Sequence, residues 1–181
     1  MHTFSKKGKV GSEGWNDWKK AYGYKLHLLV DCETKYPLSL SITNGLAHDV
    51  TLAISLLKKA RVWLKRTRYI LGDKAYDSND LIQFIVQRLK AKAGIPIVKR
   101  KRGKNYSWEG AWRWFQMKAK GRTLKKSIYR WRSAIERVFS TIKRTYHLGK
   151  EETRGILNFA KNTYLVLICY MLKLLWIAGT V

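Results

Sequence analysis

Apolar and polar residues alternate along the first third of the chain in a pattern typical of β-strands. Residues 22–30 (YGYKLHLLV) are β-prone and partly alternating, and residues 38–43 (LSLSIT) alternate with a period of two. The polar link between them is short and ends at Pro37, which predicts a β-hairpin. Asn44 and Gly45 supply a turn that closes the second strand.

After the hairpin, the apolar positions follow the spacing of helices, interrupted by two short apolar runs. The predicted helices cover residues 50–60, 80–92, 124–147 and 156–177. The predicted strands cover residues 69–71 and 95–98. Asp49 is the expected cap of the first helix, and Ser78 or Asn79 that of the second. The alternating order of strands and helices implies a parallel pair with a right-handed crossover, so a mixed α/β fold is predicted.

The last predicted helix is unusually apolar. Residues 164–178 form a run of 15 residues that only Lys173 interrupts. A membrane span needs roughly 20 apolar residues with few charges. We therefore expect a helix that packs on the core or faces a partner, with a peripheral membrane role as the minor alternative.

The charge of the chain is strongly positive and unevenly placed. Its 181 residues include 37 Lys and Arg against 12 Asp and Glu, a formal net charge of +25. Residues 58–154 hold 28 of the basic and 7 of the acidic side chains, whereas the segments on either side are nearly balanced. Such an excess repels itself unless it meets a polyanion, which indicates nucleic acid or an anionic membrane surface.

The densest basic run leads directly into an aromatic stretch. The run contains Lys99, Arg100, Lys101, Arg102 and Lys104. The aromatic residues that follow are Tyr106, Trp108, Trp112, Trp114 and Phe115. Interleaved cations and rings suit phosphate contact with base stacking, although a solvated loop anchored by its tryptophans has the same pattern. The positive bias of the whole segment favours nucleic acid.

Several classes of protein are disfavoured by residues that the sequence lacks. Cys32 and Cys169 are too few for a disulfide framework and indicate a reduced, intracellular setting. No His or Cys pair has zinc-finger spacing, and no glycine-rich phosphate loop follows a strand. We expect a cytoplasmic, nucleoid-associated protein rather than a secreted, zinc-finger or nucleotide-binding one.

Two carboxylates stand out because their surroundings are basic. Asp73 follows a buried-looking strand, at the sheet edge where open α/β proteins place their active sites. Glu136 lies within a predicted helix, on a polar stripe of residues spaced three or four apart. The stripe consists of Tyr129, Arg132, Glu136, Ser140 and Lys143. Two interpretations stay open: an intrahelical Arg132–Glu136 ion pair, or a carboxylate that ligates a divalent metal beside DNA phosphates.

The spacing within this stripe is similar to a known signature. It resembles the segment around the third carboxylate of insertion-sequence DDE transposases, most closely families four and five. The residues that match are Tyr129, Arg132, Glu136 and Lys143. Three other segments agree in order with the second strand, the third strand and the strand bearing the second catalytic Asp. They are residues 23–31 (GYKLHLLVD), 38–49 (LSLSITNGLAHD) and 69–78 (YILGDKAYDS).

The resemblance implies an RNase H-like core, a mixed sheet with flanking helices. It implies that Asp73 and Glu136 bind Mg²⁺ or Mn²⁺ for phosphodiester cleavage and strand transfer, with two ions if a third carboxylate is supplied. It also implies DNA contacts for Tyr129, Arg132 and Lys143. The implied partners are double-stranded transposon ends, target DNA and a second copy of the chain, with no small-molecule substrate or membrane. Lys25 and His27 lie at matching positions in the second strand, with no chemical role assigned.

One part of the family pattern is missing from this sequence. The family carries its first catalytic Asp on a central first strand, and no such segment precedes Gly23. We therefore expect an N-terminally truncated and catalytically impaired copy. Its expected parts are a basic remnant at 1–21, a partial core at 22–154 with a basic and aromatic insertion near 99–124, and an apolar helix packing on that core at 155–181.

The missing strand leaves the sheet with an open question. Without it, the hairpin and the two short strands must pair directly with each other, leave a gap in the sheet, or pair with a strand from another chain. The alternative function is a non-catalytic basic nucleic-acid-binding protein, in which Asp73 and Glu136 are structural.

Overall fold

The structure is a computed structural model, and it describes residues 14–16, 21–96, 126–149 and 155–179. Its described elements are strands and helices in mixed order, which confirms the predicted α/β class. The predicted basic and aromatic segment, including Lys99, Arg100, Lys101 and Arg102, lies outside the described residues.

The predicted hairpin is confirmed. Strand β2 (Ala21–Val30) pairs antiparallel with β3 (Pro37–Asn44), and the register shifts by an irregularity between Leu29 and Val30. A short strand that the sequence pattern did not predict, β1 (Gly14–Asn16), pairs antiparallel with the start of β2. Three residues are too few to show an alternating pattern, so only pairing with β2 defines β1.

The two faces of the hairpin carry different residues, as the period of two requires. Leu26 and Leu28 pack into an apolar core built on the helices from the C-terminal part of the chain. Lys25 and His27 point to the opposite face and are also buried, at 7% and 5% exposure. Burying polar side chains is costly unless they have polar partners. The second face therefore holds a polar cluster, described below.

Helix α1 (Asp49–Lys59) starts one residue earlier than expected. His48, not Asp49, is the N-cap residue, and the Asp49 carboxylate lies in the first turn. An acidic group there is favourable because it meets the positive end of the helix dipole. One side of α1, with Ala53 and Leu57, packs into a second core that also covers the parallel strands.

The second half of the chain contains the predicted parallel pair, with one strand displaced. Strand β4 (Tyr69–Leu71) is where the pattern placed it, but its partner β5 is Lys92–Gly94 rather than residues 95–98. Helix α2 (Asn79–Gln83) has Ser78 as its N-cap and continues as one π-helical stretch, Phe84–Arg88.

The predicted helix over residues 80–92 is therefore too long at its C-terminal end. Lys90 adopts a positive φ of 55°, which ends the helical path. The Lys92 amide then donates to the Arg68 carbonyl at 2.9 Å, at the start of the ladder with β4. Pairing with β4 outweighs the helix propensity of this segment, and propensity is only a weak prior.

The hairpin and the parallel pair do not join into one sheet. Strands β1, β2 and β3 form one sheet, and β4 and β5 form another. Both lie under α1, because the core beneath that helix includes Ile70 of β4 and contacts Leu29 of β2. Direct pairing between the hairpin and the two short strands is therefore not observed among the described residues.

The long helix predicted at 124–147 is divided. Its described part consists of α3 (Lys126–Tyr129), one 3-10 turn (Arg130–Arg132) and α4 (Ser133–Arg144). The apolar side of α4 faces β2, with Val138, Phe139 and Ile142 buried. The amphipathic pattern was correct for α4, although it did not reveal the 3-10 turn.

The last helix, α5 (Ile156–Gly179), extends two residues beyond its predicted end. One side of its first half is buried and includes Phe159, whose ring stacks on Tyr24 with centroids 5.5 Å apart. Its opposite side and its C-terminal half are largely exposed, as at Leu172 and Trp176. By length and composition the helix could cross a membrane, and 22% of its most apolar window is buried.

Candidate active site

Asp73 lies where strand β4 ends. Its carboxylate caps the following 3-10 turn (Lys74–Tyr76) by accepting a hydrogen bond from the Ala75 amide. The space beside the preceding residue is tight, because a Cβ on Gly72 would lie 3.3 Å from Ile95 and 3.4 Å from Tyr76. This tight turn presents Asp73 at the surface, in the position that the sequence predicted.

Glu136 lies on the exposed side of α4 and is paired within its own helical segment. Its carboxylate meets the Arg132 guanidinium at 2.7 Å, and these side chains are 52% and 30% exposed. The same guanidinium lies over the Tyr129 ring, 5.5 Å from its centroid. The intrahelical ion pair is thus present, and three members of the predicted stripe contact one another in sequence.

The other predicted site residues in the described part of the chain are Asp73 and Lys143. In the described part of the chain, no hydrogen bond or ion pair links Asp73 to Glu136. Lys143 is half-buried on α4, two further steps along the stripe, beyond Ser140. Among the described residues, no group of three or more His, Cys, Asp or Glu side chains could hold a metal ion.

The donor set agrees with a divalent ion in chemistry, although it is incomplete. Exposed carboxylate oxygens, as on Asp73 and Glu136, are the ligands that Mg²⁺ and Mn²⁺ prefer. Mg²⁺ is commonly held by one or two carboxylates together with substrate phosphates. Each carboxylate is thus of the chemical type that binds such an ion, although no contact among the described residues brings Asp73 and Glu136 together.

A buried ionic cluster lies next to this site, and the sequence analysis did not identify it. Asp49 Oδ1 lies 3.6 Å from Lys25 Nζ and 3.6 Å from His27 Nδ1. Lys25 also donates to the Ala47 carbonyl at 2.7 Å, and His27 Nε2 forms a hydrogen bond with the Thr43 hydroxyl at 2.9 Å. Lys25 and His27 thus each have polar partners from the end of β3, the turn after it or the start of α1. The available signal was the pair of polar residues two apart on a strand whose other face is leucine.

Tyr76 connects this cluster to the turn that bears Asp73. Burial, followed by the negative charges of Asp49 and Asp73, raises the pKa of Tyr76 to about 12. The phenol therefore stays protonated at neutral pH. The ring also packs against the apolar core beneath α1.

We expect His27 to make the protein less stable as the solution becomes mildly acidic. Burial lowers the pKa of His27 below 6.5, more than the attraction of Asp49 raises it. Below the unfolded-state value the unfolded chain binds a proton that the folded chain resists, so stability is lost as pH falls. The urea midpoint should drop between about pH 7.5 and about pH 5.5, and the drop should be smaller in His27→Gln.

The exposed His147 provides the matched control for that experiment. His147→Gln should keep the pH dependence of the parent chain. If His27→Gln and His147→Gln gave the same dependence as the parent, the buried imidazole would not be the cause.

The chain is similar to a known protein family over nearly its whole length. A family model described as a transposase DDE domain matches residues 2–172, which is nearly the whole chain. No curated protein and no solved structure gives a significant match. On the extent of that match, the chain belongs to the transposase DDE domain family.

Proposed function

We propose that this chain acts on DNA as an insertion-sequence transposase, with an RNase H-like arrangement of its core. The observation that carries the proposal is the match of nearly the whole chain to the transposase DDE domain. The position of Asp73 after a parallel strand, and the excess of 28 basic over 7 acidic residues within 58–154, support it. The proposed partner is double-stranded DNA at transposon ends and target sites. We propose that two copies of the chain bind this DNA in the cytoplasm.

In this proposal Asp73 and Glu136 would hold Mg²⁺ or Mn²⁺. Such an ion, when bound, activates an attacking oxygen and stabilises the leaving oxygen at phosphorus. The protein's own part is to orient the reactants. Asp73 is fixed by its bond to the Ala75 amide, and Glu136 by its pair with Arg132. The absence of a third carboxylate from this chain and its impaired activity stay predictions.

The basic residues of the polar stripe have a separate proposed role. Arg132, stacked on Tyr129 and paired with Glu136, would neutralise DNA phosphate next to the carboxylates. Lys143 would extend this contact along α4. A guanidinium suits this role because its planar donors match phosphate oxygens. Lys99, Arg100, Lys101 and Arg102 are proposed to add further phosphate contacts.

DNA binding by this chain should be strongly salt-dependent. Each phosphate neutralised releases counterions, so the logarithm of affinity should fall with the logarithm of salt at a slope of roughly −0.9 per contact. We expect a slope of about −3 or steeper in a duplex gel-shift titration, from three or more such contacts. A flat response would contradict the proposal.

A second candidate function is a non-catalytic basic nucleic-acid-binding protein. The Arg132–Glu136 ion pair favours it, because a paired carboxylate needs no metal to explain its presence. Salt dependence does not separate the two functions. Metal binding does, because only the catalytic function requires Asp73 and Glu136 to hold an ion.

A further inference from the structure

A second basic segment lies in the last turn of helix α1 and in the turns that follow it. Residues 58–68 read KKARVWLKRTR and contain six cations and no acid. All six are exposed in the structure: Lys58, Lys59, Arg61, Lys65, Arg66 and Arg68. Val62 and Trp63 project from the same segment and are 69% and 71% exposed. An exposed tryptophan surrounded by cations is unusual, since tryptophans are highly buried on average.

The segment is held in place by the core, so this exposure is not that of a loose loop. Ala60 is fully buried and Leu64 is 4% exposed, and both belong to the core beneath α1. The amides of Trp63 and Leu64 donate to the Ala60 carbonyl at 2.9 and 3.2 Å, and the Thr67 amide donates to the Leu64 carbonyl at 3.1 Å. These turns fix the backbone with Trp63 directed outwards.

The basic surface continues onto the neighbouring strand. The Lys92 amide donates to the Arg68 carbonyl at 2.9 Å, and Lys92 Nζ lies 5.8 Å from the centroid of the Tyr69 ring. Lys90, two residues before Lys92, is exposed as well. We call the six cations of residues 58–68, together with Trp63, Lys90 and Lys92, the basic rim.

The basic rim and Asp73 lie at opposite ends of strand β4. Arg68 precedes the strand and Asp73 follows it after Gly72. At roughly 3.3 Å per residue, a separation of five residues corresponds to about 15 Å or somewhat less. DNA carries one charge per roughly 1.7 Å of duplex axis, so about 15 Å of duplex presents roughly nine phosphate charges. One DNA molecule is therefore long enough to contact both ends of β4.

We propose that the basic rim is a nucleic-acid-binding surface in which the cations contact phosphates and Trp63 stacks on an unpaired base. This inference rests on the proposed function, because it takes DNA as the polyanion. It adds a second contact surface for that DNA, separate from the two carboxylates. Stacking on an exposed ring is tolerant of sequence, because every base has a π-face. A membrane is the less suitable occupant, since the rim presents one aromatic ring among its cations and no wide apolar face.

The test compares two double variants of the full chain that remove the same charge. Lys65→Ala with Arg66→Ala affects the rim, and Lys161→Ala with Lys173→Ala affects exposed positions on α5. The rim variant should reduce the salt slope for DNA by about 2, roughly 0.9 for each lost phosphate contact, while the α5 variant leaves it unchanged. All four side chains are exposed, so both variants should keep the fold.

The role of Trp63 is tested separately with two DNA substrates. Trp63→Ala should weaken binding to a duplex with a single-stranded tail by about 5-fold or more, and leave binding to a blunt duplex nearly unchanged.

Equal salt slopes in the two double variants would overturn the rim proposal while the proposed function stood. A parent chain that binds no DNA would overturn both. If the rim variant lost binding to anionic vesicles but kept the DNA binding of the parent chain, the rim would be a membrane contact and the proposal would be overturned.

Discussion

Replacing Phe159 with alanine is expected to lower the free energy of unfolding by about 3–5 kcal/mol, the usual range for a buried phenylalanine. The Phe159 side chain is fully buried, and its ring stacks on Tyr24 of β2 at an interplanar angle of 30°. It thereby attaches α5 to the central strand of the hairpin sheet. Truncation removes this contact and leaves a cavity that the two rigid elements can only partly close.

Leu157 on the same helix provides the control, because it is 74% exposed. Leu157→Ala should change the free energy of unfolding by less than about 0.5 kcal/mol. Urea unfolding followed by circular dichroism measures both variants. Similar losses in the two variants would show that α5 does not pack through Phe159.

The parts of the fold that depend on local pattern could be predicted from the sequence. The alternation of Leu26 and Leu28 with polar residues identified β2, and the run of Tyr69–Leu71 identified β4. The apolar face of α4 was also correct. In each case the residues that define the element are close neighbours in sequence.

Elements that depend on distant partners could not be predicted in this way. The C-terminal end of the α2 segment and the start of β5 were wrong, because pairing of Lys92 with Tyr69 sets them across more than twenty residues. The short β1 exists only through its register with Tyr22 and its neighbours. The spacing of apolar residues along a short segment does not indicate which distant strand that segment pairs with.

The candidate site shows the same division. Asp73 was identified because it directly follows a strand, and Glu136 because its stripe lies on one helix. The cluster around Asp49 escaped prediction, since Lys25 and His27 reach it from another element more than twenty residues away. Burial of those two side chains shows that the polar face of β2 is part of the interior.

We expect the two carboxylates to control the binding of Mn²⁺ to the complex of this chain with DNA. Removing a residue that only supports a metal ligand typically weakens affinity by about 10–100-fold, so losing a direct ligand should cost about 100-fold or more. Asp73→Asn and Glu136→Gln should each show this loss. Both substitutions keep the size of the side chain and a carbonyl oxygen that can accept from Ala75 or Arg132.

The measurement is the electron paramagnetic resonance signal of free Mn²⁺, titrated against the protein–DNA complex. Asp80→Asn is the matched control, because Asp80 is an exposed acid in the first turn of α2 and its loss removes the same charge. Its Mn²⁺ affinity should stay within about 2-fold of the parent, since exposed charges interact weakly in water. If all three variants bound Mn²⁺ as the parent does, Asp73 and Glu136 would not be ligands. The non-catalytic nucleic-acid-binding function would then be the better account of the chain, because DNA binding through its cations requires neither carboxylate.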